Sequence, residues 1–315
     1  MRRMWRVAAL AAVVFSFHGC GRSGSSRFLV GFSQCNLGEP WRVAMNAAAE
    51  REAKNHPDLQ VVYSDAAQDN SKQVADVETF LRQKIDLLII SPNEARPLTE
   101  VVARAYRSGV PVIVLDRAIE GDTYTCFIGA DNREIGRAAG EYAARLLGGA
   151  GSVVEIKGLP GSPPARDRSE GFREAIAKVP GIRIVHDPVA NWLREEALTQ
   201  MEIALRAHER IDLVYGHNDP MAVGAYLAAK AAGREGEMKF IGIDALPGPE
   251  GGVQEVLSGR LAATFVYPTC GKEAIETAHR ILKGETVPRR ITLPTVLVTK
   301  ENAAQWRSTA ADSAK

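Results

Sequence analysis

Short apolar runs rich in β-branched residues recur along this chain with helical patterns between them, and this alternation limits the fold more than any other feature. The runs fall at 28–32, 60–63, 86–90, 110–115, 152–156, 182–185, 212–215 and 239–243. Continuous apolar runs of this length are typical of strands buried on both faces of a parallel sheet. Because the rhythm stops and begins again, the sequence predicts two doubly wound α/β units in tandem.

The segments between the runs carry recognisable helix starts. Asp131 followed by Glu134 predicts a capping box, and Asp219 followed by Pro220 predicts a cap and a first helical residue. Beyond the second set come a strand-like run at 261–267, a helix at 271–283 and an apolar stretch at 291–298. This tail is too short for a third domain, so we expect the two units to share it. The 315 residues leave room for two units of about 150.

The first twenty residues predict an export signal. A basic start is followed by an apolar run of 11 residues at 7–17 and then by Gly19, Cys20 and Gly21. Such a run is too short to cross about 30 Å of hydrocarbon as a helix. The position of Cys20 resembles a bacterial lipoprotein cleavage site. We therefore predict a signal peptide at 1–20 with Cys20 lipidated, a Gly/Ser tether at 21–27, and a location in the periplasm or cell envelope, on a membrane by the lipid anchor only.

Charge and cysteine usage exclude several classes of function. Lys plus Arg is 39 and Asp plus Glu is 38, so the net charge of +1 provides no field that would attract nucleic acid. Cys35, Cys126 and Cys270 remain in the exported part, with no CxxC and no Cys/His cluster at ligand spacing. We predict no metal and no cofactor, and we expect three buried thiols, with one bridge between two of them left open.

Polar and aromatic side chains gather just after the predicted strands, where ligands bind in open parallel sheets. Carboxylates and amides exchange paired hydrogen bonds with hydroxyls, arginine offers a planar fork of donors, and tryptophan offers a flat apolar face. A monosaccharide needs all three. The candidate sugar-binding residues are Glu39, Trp41, Arg42, Asp116, Arg117, Arg166, Trp192, Asn218, Asp244 and Tyr267.

Each candidate also has a structural alternative. Trp41 and Trp192 could be core aromatics, and Arg166 could lie on a solvated helix start. In the pair Asn218 and Asp219, the second residue is expected to cap the helix, which leaves Asn218 as the ligand candidate.

Six ordered stretches carry a resemblance to a known family. They are 30–34 with 40–42, 112–117, 129–132, 165–172, 217–225 and 242–244. Through them the chain resembles the type I periplasmic sugar-binding proteins of the ribose-, galactose- and galactofuranose-binding kind, over nearly all of its length after the leader. The resemblance implies sugar contacts from Asp116, Arg117, Arg166, Asn218 and Asp244, with an aromatic ring at Trp192.

The resemblance also implies two lobes that close on a sugar by a hinge motion. Three crossing strands near Ala130, Tyr267 and Ile291 would join a first lobe at 28–130 and 268–291 to a second lobe at 131–267 and 292–308. Ribose-binding members place two aromatics after the first strand, whereas this chain has Trp41 followed by Arg42. Tyr267 stands where a Gln is common. These departures favour a hexose over ribose, with the furanose form left open.

The sequence therefore predicts binding without chemistry. We expect a monomer that captures a monosaccharide and delivers it to an ABC transporter permease, the alternative being presentation of the closed form to a sensor kinase. The chain has no GxSxG elbow and no HExxH helix, and the glycine-rich stretch 158–162 lacks the lysine of a phosphate-binding loop. Arg42, Arg117 and Arg166 leave room for an anionic sugar, but Glu39, Asp116 and Asp244 offset their charge, which favours a neutral one.

Overall fold

The computed structural model describes residues 27–307, and every structural statement below concerns that range. The predicted signal peptide, Cys20 and nearly all of the predicted tether lie outside it. Within the range, no helix combines the length and the apolar character needed to span a bilayer.

Twelve strands and nine α-helices form the described part of the chain. The strands are β1 (Phe28–Gln34), β2 (Leu59–Asp65), β3 (Leu87–Ile90), β4 (Val112–Leu115), β5 (Cys126–Gly129), β6 (Ala150–Ile156), β7 (Gly181–His186), β8 (Leu213–Gly216), β9 (Lys239–Ile241), β10 (Ala263–Val266), β11 (Arg290–Thr292) and β12 (Val296–Thr299). The helices are α1 (Pro40–Ala53), α2 (Asn70–Arg82), α3 (Ala95–Arg107), α4 (Asn132–Leu146), α5 (Pro163–Ile176), α6 (Arg194–Ala207), α7 (Asp219–Ala231), α8 (Gly252–Leu257) and α9 (Gly271–Leu282).

The strands form two six-stranded sheets, which confirms the predicted pair of α/β lobes. The first sheet has the order β11-β5-β4-β3-β1-β2 and is parallel throughout. The second has the order β12-β10-β9-β8-β6-β7, with only β12 antiparallel to its neighbour. The reversal of strand order on either side of β1 and of β6 opens a crevice at the carboxyl ends of the strands in each lobe.

Both faces of each sheet are covered, as the continuous apolar runs predict. In β3 the side chains alternate, so that Leu87 and Ile89 join one buried cluster while Leu88 and Ile90 join another on the opposite face. All four are fully buried. The helices on the two faces supply the apolar partners that these strands require.

The chain passes between the two sheets three times, at residues 130–131, 267–270 and 293–295, and these passages are called the crossings below. Helix α9 returns to the first lobe and packs on α1.

Helices α4 and α5 pack closely in the second lobe because Gly136 has no side chain. A Cβ at that position would lie 2.2 Å from the carbonyl oxygen of Arg168.

Three local expectations need correction. The predicted strands omit β5, and the apolar stretch at 291–298 forms β11 and β12 rather than one element. Pro294 lies between these two strands and, lacking an N–H, cannot join a ladder. Thr292, assigned to the second lobe by the sequence, pairs with Gly129 in the first sheet.

The start of α7 differs from the prediction as well. The side chain of Asn218 caps the helix by accepting from the amide of Met221. Asp219 is instead the first helical residue, and its carboxylate accepts from the amide of Ala245 and from the hydroxyl of Thr264. At the start of α4, Asp131 accepts from the amide of Glu134, which is one half of the predicted capping box, while the Glu134 carboxylate pairs with Arg137. Cys35, Cys126 and Cys270 are all free and buried.

Candidate functional site

A pocket lies between the lobes, at the carboxyl ends of the strands of both sheets. The first lobe contributes the start of α1 and the residues after β4, and the second contributes the starts of α5, α6 and α7 with the loop after β9. The lobes are in contact beside it, because the amide of Ala95 donates to the carbonyl of Gly161 over 3.0 Å. The lining residues are Glu39, Trp41, Arg42, Asp116, Arg117, Pro164, Arg168, Trp192, Asn218, Asp244 and Tyr267.

Nine of the ten residues expected from the sequence thus lie around one pocket, and Arg166 is the exception. Its side chain is 61% exposed and pairs with the neighbouring Asp167. The arginine that enters the pocket is Arg168, which is 4% exposed. Along α5 it lies four residues before Phe172 and seven before Ala175, on the buried stripe of the helix, whereas Arg166 lies on another face. This helical spacing was the signal that the sequence analysis missed.

The first lobe presents a buried cluster of two arginines and two carboxylates. Arg42 donates to Asp116 over 2.6 Å and to the hydroxyl of Ser91 over 2.9 Å. Arg117 donates to the backbone carbonyl of Asn93 and lies 3.5 Å from Glu39. Burial alone would raise the pKa of Asp116, but the two guanidinium groups hold that pKa below its ordinary value. Asp116 is therefore ionised and oriented without any ligand.

Arg168 is a buried cation of the second lobe that is held by several contacts. Its Nε donates to Asn132 over 2.8 Å, and its Nη1 donates to the backbone carbonyl of His217. The guanidinium lies over two aromatic rings, 5.4 Å from the centre of Trp192 and 4.8 Å from that of Tyr267. These contacts fix both the plane and the position of the fork.

A buried pair of Glu155 and His217 lies next to Arg168. His217 Nε2 donates to Glu155 over 3.1 Å, while Nδ1 accepts from the amide of Gly158 over 3.3 Å. Burial lowers the pKa of His217, so the ring is neutral with its proton on Nε2. His217 is fully buried and holds Arg168 through its carbonyl.

The remaining polar residues of the second lobe differ in how they are satisfied. Asn218 caps α7 and donates to the carbonyl of Trp192 over 3.1 Å. Within the described range, no basic nitrogen lies within 4.0 Å of the carboxylate of Asp244. Burial, together with the nearby Asp219, raises the pKa of Asp244 well above its ordinary value. Asp244 is thus the one lining carboxyl without a cation beside it.

Three lining residues have a left-handed backbone, with φ of 58° at Asp116, 74° at Trp192 and 135° at Asp244. Such conformations cost about 1–3 kcal/mol each in non-glycine residues and collect at ligand sites. In each case the turn brings a functional side chain toward the pocket just after a strand or before a helix.

Four buried donor atoms on residues that line the pocket lack a hydrogen-bond partner in the described range. Arg42 Nε, Arg117 Nε and Nη2, and Trp192 Nε1 are buried and hydrogen-bond to nothing in the described range. Three arginines and three carboxyls line the wall, and Arg42 and Arg117 pair with Asp116 and Glu39. A compact neutral molecule that carries many hydroxyl oxygens would satisfy these donors, and the tryptophan rings offer it apolar faces. Nowhere in the described range are three or more His, Cys, Asp or Glu side chains grouped so as to hold a metal ion.

Comparison with known proteins gives a consistent result. A family model described as a periplasmic binding protein domain matches residues 30–286. The ribose import binding protein RbsB of Bacillus subtilis strain 168 is 33% identical over 282 residues, covering 89% of this chain and 90% of that protein. The galactofuranose-binding protein YtfQ of Escherichia coli K12 is 29% identical over 304 residues, covering 93% and 92%.

Solved structures match along most of the chain as well. The fructose-binding periplasmic domain of a hybrid two-component system superposes with a TM-score of 0.89 at 45% identity, covering 91% of this chain and 96% of that one. An ABC transporter solute-binding protein from Bacillus halodurans C-125, with bound myo-inositol, has a TM-score of 0.86 at 30% identity and coverage of 91% and 99%.

Proposed function

The chain belongs to the type I periplasmic sugar-binding proteins, and we propose that it captures a monosaccharide between its lobes and delivers it to an ABC importer. The observation that carries the proposal is the set of buried donor atoms on Arg42, Arg117 and Trp192 that hydrogen-bond to nothing in the described range. Leaving such groups unpaired costs about 1–3 kcal/mol each, which a ligand rich in hydroxyls recovers. Family membership implies an extracytoplasmic location.

The ligand of this proposal is a neutral hexose, with a furanose ring among its forms. Arg42 and Arg117 already pair with Asp116 and Glu39 in the wall, which argues against an anionic sugar, because these two cations are not free to balance its charge. Two relatives support a hexose, since one is named for fructose and another for galactofuranose, whereas RbsB is named for ribose, a pentose. Trp41 and Trp192, which both line the pocket, would pack against a ring of this size.

The mechanism is closure without reaction. We take the first lobe as 28–130 with 268–292 and the second as 131–267 with 293–307, joined by the three crossings. The sugar stabilises the closed form because only there do both lobes contact it. Lining residues of the first lobe are Glu39, Trp41, Arg42, Asp116 and Arg117. Those of the second lobe are Arg168, Trp192, Asn218 and Asp244, with Tyr267 at a crossing.

A second candidate role is sensing, in which the closed form is read by a membrane receptor kinase. The observation that favours it is the 45% identity to the periplasmic domain of a hybrid two-component system. The two roles share one sugar site and differ only in the protein that recognises the closed lobes. Co-purification with a membrane permease in the presence of sugar supports import, whereas co-purification with a kinase supports sensing.

The export signal completes the proposal. Residues 1–20 would direct export, and Cys20 would hold the protein at a membrane through its lipid. Mass spectrometry of the mature protein from bacterial membranes checks this, with Cys20→Ser as control. A mature N-terminus elsewhere, or an unmodified Cys20, refutes the anchor and leaves sugar binding untouched.

The decisive experiment is a thermal-shift screen of residues 21–315 against pentoses, hexoses, sugar acids and sugar phosphates. A ligand at 100 times its dissociation constant adds about 2.7 kcal/mol to stability, which is readily seen. A hit among neutral hexoses supports the proposal, and NMR of the recovered sugar should show it unchanged. A response to sugar acids or phosphates alone overturns the neutral ligand.

A further inference from the structure

A hydrogen-bonded path of four side chains crosses from the second lobe to the first beneath the pocket. Arg168 Nε donates to Asn132 Oδ1 over 2.8 Å, and Asn132 Nδ2 donates to the Tyr267 hydroxyl over 3.2 Å. The Tyr267 hydroxyl then donates to Asp116 Oδ1 over 2.7 Å. All four side chains are buried, with exposed fractions between 2% and 6%. Asn132 directly follows the first crossing, and Tyr267 begins the second.

Every donor in this path points the same way, from the guanidinium of one lobe to the carboxylate of the other. Hydrogen bonds arranged head to tail polarise one another, and the effect is stronger in a buried setting of low dielectric. The direction also fixes the amide of Asn132, because only one orientation offers its oxygen to Arg168 and its nitrogen to Tyr267. The path therefore has a single arrangement that satisfies all its members.

The ring of Tyr267 is held independently of its hydroxyl. Its backbone carbonyl accepts from Trp41 Nε1 over 2.9 Å, and its ring packs edge-on against that indole at 5.3 Å. Arg168 covers the face of the same ring at 4.8 Å. Since the ring position is set by these contacts, the hydroxyl is free to serve the path alone.

We propose that Asn132 and Tyr267 are positioning residues that orient Arg168 and Asp116 as one unit across the crossings. The inference rests on the proposed function, because Arg168 and Asp116 are two of the charges that would contact the sugar. It assigns the Tyr267 hydroxyl to Asp116 rather than to the ligand. Tyr267 thus affects sugar binding by orienting the carboxylate of Asp116.

The test is a double-mutant cycle on sugar affinity, measured by calorimetry with the best ligand of the screen. Tyr267→Phe removes the hydroxyl and keeps the ring, and Asn132→Ala removes the amide. Hydrogen bonds to charged groups of this kind correspond to about 10- to 100-fold in affinity. Each single variant should lose affinity in that range, and the double variant should lose no more than the weaker-binding single variant, since either change breaks the same path.

Two results would overturn the inference: wild-type affinity in Tyr267→Phe, or losses in the double variant that multiply as for independent sites. The matched control is Tyr63→Phe, because the Tyr63 hydroxyl is buried in β2 without a partner and outside the pocket. That variant should bind like the wild type. Circular dichroism of each variant verifies folding, and Asn132→Ala keeps the test open if Tyr267→Phe does not fold.

Failure of the proposed function has a different signature, namely a wild-type protein that binds none of the sugars. The path is then tested in the ligand-free protein. The midpoint of urea unfolding is measured for the wild type, the two single variants and the double variant. Coupled effects of the two substitutions support the path, and additive effects refute it.

Discussion

The indole of Trp192 lies so close to Gly158 that a Cβ at that position would lie 2.3 Å from the ring. The same ring lies beneath the guanidinium groups of Arg117 and Arg168, at 5.5 and 5.4 Å from its centre. Gly158, which follows β6, therefore determines the position of the Trp192 ring. It thereby also determines where this ring contacts one arginine from each lobe.

Gly158→Ala is expected to displace Trp192 and to weaken sugar binding at least tenfold, about 1.4 kcal/mol. Overpacking should also lower the free energy of unfolding by about 1–3 kcal/mol. Gly236→Ala is the control, since nothing lies within 4 Å of a Cβ there and its φ is not positive. Calorimetry and urea unfolding check both variants. Equal affinities for the two would show that the ring position does not matter.

Asp116→Asn is expected to lower sugar affinity by about 100-fold or more. The substitution leaves the buried guanidinium of Arg42 without its closest carboxylate, and breaking a buried ion pair costs about 3–5 kcal/mol. Asp122→Asn serves as the control because that side chain is 82% exposed. Isothermal calorimetry compares the two, and an unchanged dissociation constant for Asp116→Asn would contradict the assignment of the pocket.

Arg168→Ala and Arg166→Ala separate the two arginines that share one turn of α5. Arg168→Ala should abolish measurable binding, since it removes a buried fork held by Asn132 and by the carbonyl of His217. Arg166→Ala should change neither affinity nor stability by more than about 0.5 kcal/mol, because its side chain is exposed. The reverse order of effects in calorimetry would restore the sequence-based choice.

Asp244→Asn is expected to stabilise the ligand-free protein near neutral pH while weakening sugar binding. Because burial raises the pKa of Asp244 in the folded state, that state keeps a proton which the unfolded chain loses above pH 4 or so. Stability contributed by this group is therefore lost as pH rises from the unfolded pKa towards the folded one. An Asn side chain does not titrate, so the Asp244→Asn variant does not lose this stability as pH rises.

The measurement is the unfolding midpoint of both proteins between pH 4 and pH 8. Other carboxyls and His217 also titrate in this range, so the difference between variant and wild type is the relevant quantity. The unfolding midpoint of Asp244→Asn minus that of the wild type should increase as pH rises. A difference that stays constant with pH would show that Asp244 does not carry the raised pKa.

The sequence predicted the strands well where apolar runs were long and poorly where they were short. Strands β3, β4 and β5 have four residues each, but β3 and β4 are aliphatic throughout, whereas β5 reads Cys-Phe-Ile-Gly and ends on a glycine. Aliphatic runs such as those of β3 and β4 predict strands that are buried on both faces. A short strand without such a run gives a local pattern that is too weak to recognise.

Position in the sequence predicted which residues lie at the pocket, but it did not predict which way the helical side chains point. Residues after a strand necessarily reach the same edge of the sheet, which is why Asp116, Arg117 and Asp244 were found. On a helix, a shift of two residues turns the side chain by about 200°, so choosing between Arg166 and Arg168 requires the buried face of α5 to be known. The role of Asn132 depends on a partner 135 positions away, which no local pattern contains.

Each sheet is completed by an edge strand from the last part of the chain, β11 beside β5 and β12 beside β10. During synthesis, both lobes must therefore wait for the same short segment at 290–299, because it follows every other described strand. A chain that stops short of Arg290 lacks both strands and leaves an unpaired edge on each sheet at once. Open edges pair readily with other chains, so C-terminal truncation should turn this protein into one that aggregates through either lobe.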